Sequence, residues 1–197
     1  MGKNGSMRNV ETLPKDLPVP RDDGLTSHLE GAEMPRIILQ TTSGEMLALD
    51  EISLSPTVLF IYPRAGSPIA PNLKVEAWDL IPGARGCTPH TCGYRDLYQE
   101  FLKSGVQVYG LSVQAPNIQE EFVERMHIPF SILSDEKHKL TDALQLPTFD
   151  FEGERLIKRM ALFMNGSRIE KVFYPIFPPD KNAAEVLNWI RENGNRQ

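Results

Sequence analysis

The only two cysteines of the 197-residue chain, Cys87 and Cys92, fall in ARGCTPHTCGYRD, residues 84–96, where a long Pro- and Gly-containing segment gives way to a helical pattern. A cysteine pair at such a junction can be redox-active, can help hold a metal, or can be inert and buried. Zinc would need about four ligands; only His28, His90, His127 and His138 are there to join the pair, and a C-x4-C spacing is unusual for zinc. Redox chemistry has a physical footing. With Thr88-Pro89 as N-cap and first helical residue, Cys87 faces unpaired N–H groups and the positive end of the helix dipole, both of which favour thiolate over thiol. Five positions along an intact helix place two residues about 7.5 Å apart on the axis and roughly 140° around it, so their Cα atoms are about 8 to 9 Å apart. A disulfide needs about 7 Å or less. The two sulfurs can therefore join only when this first turn unwinds, as suits a bond that forms and breaks.

The elements that must position these residues are readable in outline. RIILQTT and EMLAL flank a Ser-Gly turn and predict an N-terminal hairpin, and TVLFIY, residues 57–62, is a continuous apolar run that predicts a strand buried on both faces. Some 24 residues follow before the first cysteine, long enough for a functional loop. Tyr94, Leu97, Tyr98, Phe101 and Leu102 then recur with helical spacing, and Gly105 ends that helix. VQVYGLSV and FSIL predict further strands, Asn117 an N-cap, and residues 136–145 a short helix. LIKRMALFM and SRIEKVFY predict two strands joined by an Asn165-Gly166 turn, and Asp180 caps a last helix that buries Ala183, Val186, Leu187 and Ile190. The expected fold class is α/β, a mixed sheet flanked by helices, over residues 24–197. Residues 1–23 are polar, Pro-rich and aperiodic, and predict a tail or a strap across the surface.

Composition excludes several classes. A net charge of −5 with no basic stripe argues against nucleic acid. No stretch approaches the roughly 18 apolar residues of a membrane span, and the N-terminus lacks the apolar core of a secretory signal, so the expected compartment is the reducing cytoplasm. MGKNGS also fits the short myristoylation pattern at Gly2.

FIYPRAGSP followed by GCTPHTCGYRDLYQEF resembles the active-site signature of the peroxiredoxins, in the peroxiredoxin Q or bacterioferritin-comigratory group, and the likeness continues through GLSVQ, IPFSILSD and KRMALFMNGSRIEKVFYPIFPP. The resemblance implies a thioredoxin-like fold, a peroxidatic Cys87, a resolving Cys92, and an Arg159 that faces the peroxide; as a bare strand residue, Arg159 would instead pair with a surface carboxylate. It implies no cofactor and no metal. Arg95, in YRD, reads as a local ion pair, and His90, where relatives carry Gln or Glu, as helix surface.

The sequence departs from the family in an inserted active-site loop, residues 68–85. With the insert looped out, Pro63 and Ser67 match the family's proline and hydroxyl residue, and Ser67 is expected to turn its hydroxyl back to Cys87. The insert's Ile69, Leu73, Val75, Trp78, Leu80 and Ile81 are too apolar to leave in water, which predicts a lid beside Cys87 with Trp78 walling the peroxide entrance. The function expected from the whole is a thiol peroxidase acting on hydrogen peroxide or organic hydroperoxides, recycled by thioredoxin or a glutaredoxin-like dithiol, as a monomer or homodimer. A peroxide-responsive redox sensor and a disulfide oxidoreductase without peroxidase activity are the alternatives.

Overall fold

The computed structural model describes residues 13–68 and 75–194. In chain order the strands are β1 (Ile38–Thr41), β2 (Met46–Ala48), β3 (Thr57–Ile61), β4 (Gln107–Ser112), β5 (Ile132–Ser134), β6 (Thr148–Phe151), β7 (Glu154–Ile157), β8 (Met160–Asn165) and β9 (Arg168–Phe173). The helices are α1 (Leu49–Ile52), α2 (Val75–Asp79), α3 (Cys87–Lys103), α4 (Pro116–Met126), α5 (Lys139–Ala143) and α6 (Asn182–Asn193). Seven strands form one mixed sheet of order β2-β1-β5-β4-β3-β8-β9, and β6 pairs with β7 in a separate hairpin.

The apolar run at residues 57–61 lies mid-sheet as β3, parallel to β4 and antiparallel to β8, with every residue buried. Alternation along it feeds two cores. Val58 and Phe60 pack with Tyr94 and Phe101 of α3, Phe122 of α4 and Val186 of α6. Leu59 and Ile61 pack on the opposite face with Leu49 of α1 and Leu140 of α5. Fully burying each such side chain is worth about 1.5 to 3 kcal/mol, so a one-residue slip of β3 would exchange both faces and is strongly disfavoured. Gly110 of β4 makes room at this layer: a Cβ there would stand 2.9 Å from Phe60 Cζ. The Phe60 ring is thereby free to stack on Tyr94 at 4.3 Å and to meet His90 edge-on at 5.3 Å.

Several boundaries differ from expectation. LIKRMALFM is not one strand; it breaks at Lys158-Arg159, and its first part pairs back on β6 around Glu152-Gly153, both at positive φ. The turn after β8 centres on Gly166-Ser167 instead of Asn165-Gly166, because Ser167 donates its N–H to Ser53 O and its hydroxyl to Asp50 O and is held at φ 61°. Helix α4 opens on Pro116, one residue before Asn117, using proline's fixed φ at a position that needs no N–H. Helix α5 is shorter than residues 136–145, and Asp135 caps it by accepting from the N–H groups of Leu140 and Thr141. A 3-10 turn at Pro179–Lys181 displaces Asp180 from the cap of α6, which starts at Asn182. Residues 13–23 carry no helix or strand and lie against the domain, Asp23 pairing with Lys158 at 2.6 Å and accepting from Tyr174 at 2.9 Å. No helix among the described residues is long and apolar enough to cross a membrane.

Candidate active site

Beyond β3 the chain reaches Tyr62 and Pro63 and then a short segment fastened to the start and length of α4. Gln114 clamps Ala65 from both sides, accepting its N–H at 2.8 Å and donating to its carbonyl at 3.0 Å. Arg125 donates to Gly66 O at 2.8 Å and to Glu121 at 2.6 Å. Ser67 donates its hydroxyl to Glu121 Oε2 at 2.8 Å, which corrects the expected donation to Cys87: an ionised carboxylate is a strong acceptor and draws the hydroxyl to itself. Against the upward pull of burial, the bonds from Arg125 and Ser67 hold the Glu121 carboxyl below its ordinary range.

The insert returns to the site as a structural support. Trp78 lies in α2, 2 % exposed, edge-on to Phe151 at 5.1 Å and in one cluster with Ala84 and Leu156. It anchors the insert beneath the β6–β7 hairpin and does not wall an open entrance. Leu80, expected in the apolar lid, is exposed, and Ile69, Leu73 and the Val75 side chain lie outside the described residues. Ala84 is the link to the chemistry, because its carbonyl faces the cysteine.

Helix α3 begins at Cys87 itself, with Gly86 as N-cap at φ 100°, ψ 24°, which corrects the assignment of Thr88-Pro89 to the cap and first position. A Cβ on Gly86 would stand 2.5 Å from Pro179 Cγ and 2.8 Å from Leu13 Cδ2, so sterics and φ both require glycine. Pro89 has no N–H, and the first turn is left with the N–H groups of Cys87 and Thr88 free of helical acceptors. The Cys87 side chain is 4 % exposed, its sulfur 3.6 Å from Ala84 O and 3.1 Å from Arg159 Nη2.

Arg159 stands in the break between β7 and β8 and is 3 % exposed. Its Nε donates to Gly83 O at 3.2 Å, Nη1 to His90 Nδ1 at 3.0 Å, and Nη2 to Ala84 O, Arg85 O and Cys87 Sγ at 3.0 to 3.2 Å. Three of these acceptors come from the end of the insert. A buried guanidinium requires compensation, and of its described partners only Cys87 can take a negative charge. Arg159 also lines a cavity of about 300 Å3 whose other walls include Pro20, Ile81, Phe149 and Ile176.

His90 is fully buried, which corrects its assignment to the helix surface. Burial and the neighbouring Arg159 charge hold its imidazole well below the ordinary range, so it is neutral at pH 7. Tyr62, not singled out from the sequence, is also fully buried, and its hydroxyl makes no well-formed hydrogen bond. Burial pushes its phenol up, Ser112 offsets part of the rise, and Cys87 adds to it. Arg95 lies on the outer part of α3, donating to Asp96 and to Met126 O, away from Cys87's described partners. Cys92 is buried one turn into the same unbroken helix, and no disulfide joins it to Cys87. Among the described residues no three His, Cys, Asp or Glu side chains gather to hold a metal ion.

The redoxin family profile matches residues 29–187. The putative peroxiredoxin bcp of Coxiella burnetii is 30% identical over 161 residues, spanning 80% of this chain and 95% of that protein. The chloroplastic peroxiredoxin Q of Gentiana triflora is 25% identical over 183 residues, spanning 90% and 76%. Among solved structures, peroxidoxin BcpB of Mycobacterium tuberculosis superposes with a TM-score of 0.67 at 23% identity, covering 83% of this chain and 97% of that one. The sheet order and flanking helices are those of a thioredoxin-like fold.

Proposed function

The chain belongs to the redoxin family, and we propose that it is a thiol peroxidase of the cytoplasm in which Cys87 is the peroxidatic and Cys92 the resolving residue. The observation that carries this reading is the Arg159 Nη2 to Cys87 Sγ contact of 3.1 Å at a helix N-terminus. The thiolate sulfur attacks one peroxide oxygen; an S–O bond forms as the O–O bond breaks. The attacked oxygen stays on Cys87 as sulfenic acid, and the other leaves as hydroxide or alkoxide and takes a proton from water. Arg159 and the free N–H groups of the first turn are fixed donors for the charge that builds on the departing oxygen. The Cys92 thiolate then attacks the sulfenic sulfur, expelling hydroxide and forming a disulfide, and a thioredoxin or glutaredoxin-like dithiol restores both thiols by exchange. The partly apolar cavity beside Arg159 suits the carbon substituent of an organic hydroperoxide.

Peroxide consumption in the presence of thioredoxin, thioredoxin reductase and NADPH tests the reading. Sustained turnover supports an enzyme; oxidation once per molecule with slow recovery would make the protein a sensor; reduction of disulfides without loss of peroxide would make it an oxidoreductase of another kind.

The geometry of α3 makes a separate prediction. Positions 87 and 92 of the unbroken helix are separated by about 8 to 9 Å between Cα atoms, beyond the reach of a disulfide. The oxidised protein should therefore be a monomer lighter by two hydrogens, with a Cys87–Cys92 crosslinked peptide and reduced helix content by circular dichroism. A disulfide joining two chains as the main product would reject the local-melting route.

A further inference from the structure

We infer that Asn182, the first residue of the last helix, is a positioning residue of this site, fixing through His90 the direction in which Arg159 points at Cys87. The inference rests on the peroxidase reading for its biological meaning but on hydrogen-bond logic for its content. Arginine has donors only, so the 3.0 Å contact from Arg159 Nη1 makes His90 Nδ1 an acceptor. In a neutral imidazole the proton must then sit on Nε2. Its partner at 3.0 Å is Asn182 Oδ1, which also accepts the Tyr94 hydroxyl at 2.7 Å, while Asn182 Nδ2 donates to Glu185 at 3.3 Å. Each donor in the chain Glu185, Asn182, His90, Arg159, Cys87 is opposed by an acceptor, and reversing any one member would set two donors or two acceptors face to face.

Burial makes the arrangement exclusive. His90 and Tyr94 are fully buried and Asn182 is 1 % exposed, so water cannot repair a broken link. The Phe60 ring, edge-on to His90 and stacked on Tyr94, packs against both side chains. Titratable and charged groups around His90 are therefore few: Arg159 from the β7–β8 break, Cys87 and Tyr94 from its own helix, and Glu185 from α6, reached through Asn182. Tyr94 is kept neutral by burial first and by Glu185 second.

Asn182→Asp, in a Glu185→Gln background that keeps a donor facing the new carboxylate, changes one charge at nearly constant shape. A carboxylate at this point stabilises an imidazolium, whose Nδ1–H would meet the Arg159 donor; the guanidinium must then turn from its present direction. The variant should show His90 titrating near neutral pH. Alkylation of Cys87 by iodoacetamide and its oxidation by peroxide should both fall at least about tenfold at pH 6 and recover toward the parent rate at pH 8. The same variant with His90→Gln added should be free of this pH dependence, because glutamine offers an acceptor to Arg159 and donors to the carboxylate without titrating.

Nitrogen-15 NMR of histidine-labelled parent protein reads the premise without any substitution: His90 should be the Nε2–H tautomer and neutral at pH 7. The opposite tautomer, or a charged ring in the parent, overturns the inference. So does a folded Asn182→Asp protein in that background whose alkylation profile matches that of Glu185→Gln alone. Neither the NMR nor the alkylation measurement uses peroxide, so a failure of the peroxidase reading would appear separately, as parent protein with this network and no peroxide turnover.

Discussion

Cys87→Ser should lose at least about three orders of magnitude in peroxide reduction, the largest effect of any single substitution in the chain. The reaction needs a polarisable sulfur that can be an anion near neutral pH and can hold an oxygen as sulfenic acid, and a serine hydroxyl does neither. The donors around position 87 cannot replace the nucleophile, since they act only on charge that it sends into the peroxide. Serine is close to cysteine in size and would sit at a helix N-terminus that tolerates hydroxyl residues, so the fold should be retained. The check is peroxide consumption together with a sulfenic-acid probe after a brief peroxide pulse. Cys92→Ser protein should be labelled at Cys87, and Cys87→Ser protein should not be labelled at all. Label on Cys92 in the absence of Cys87, or turnover that survives the substitution, would reverse the two roles.

The second large effect is at Arg159. Removing a charge-assisted donor from a desolvated site should raise the barrier of the peroxide step by about 2 to 4 kcal/mol, or roughly 30- to 1000-fold in rate. Arg159→Ala also leaves His90 Nδ1 and the carbonyls of Gly83, Ala84 and Arg85 without their buried donor. A buried acceptor left unpaired costs about 1 to 3 kcal/mol, so some loss of thermal stability should accompany the loss of rate. Arg159→Lys separates the two contributions: an ammonium keeps the charge but cannot reach a sulfur, an imidazole and three carbonyls from one planar fork, and should recover only part of the rate. Stopped-flow measurement of Cys87 oxidation, with melting temperature taken on the same samples, decides the matter. An Arg159→Ala protein that is folded and reacts at the parent rate would make this arginine a purely structural support for residues 83–85.

The sequence by itself determined which atoms could do chemistry and the broad plan of the scaffold. Two cysteines five positions apart at a helix start, an apolar run that only a doubly covered strand could bury, and alternating strand and helix periods are local patterns, legible because secondary structure and helix dipoles act over a few residues. The β6–β7 hairpin, TFDF and ERLI about Glu-Gly, was not read from the sequence, because its period-2 signal is masked by the apolar run that continues across Lys158-Arg159. Position 159 looked like strand interior from its neighbours; only the pairing of β7 with β6 opens the break that lets its side chain reach the cysteine.

The partners of His90, Asn182 and Ser67 were decided by tertiary structure alone. His90 lies on a helix face that the local pattern leaves polar, and it is buried because α6, nearly a hundred residues later, lays Asn182 against it. Nothing in KNAAEV marks that asparagine. Ser67 could have faced the sulfur from its place in the motif, but Glu121, 54 positions away in sequence and on another helix, holds a stronger acceptor within 2.8 Å. Hydrogen bonds between distant segments depend on where the sheet and helices bring them together, and no pattern of a few residues encodes that meeting. The sequence thus pointed to Cys87 as the candidate nucleophile and to the helix that carries it, while packing decided which donors point at its sulfur and where the Ser67 hydroxyl is engaged.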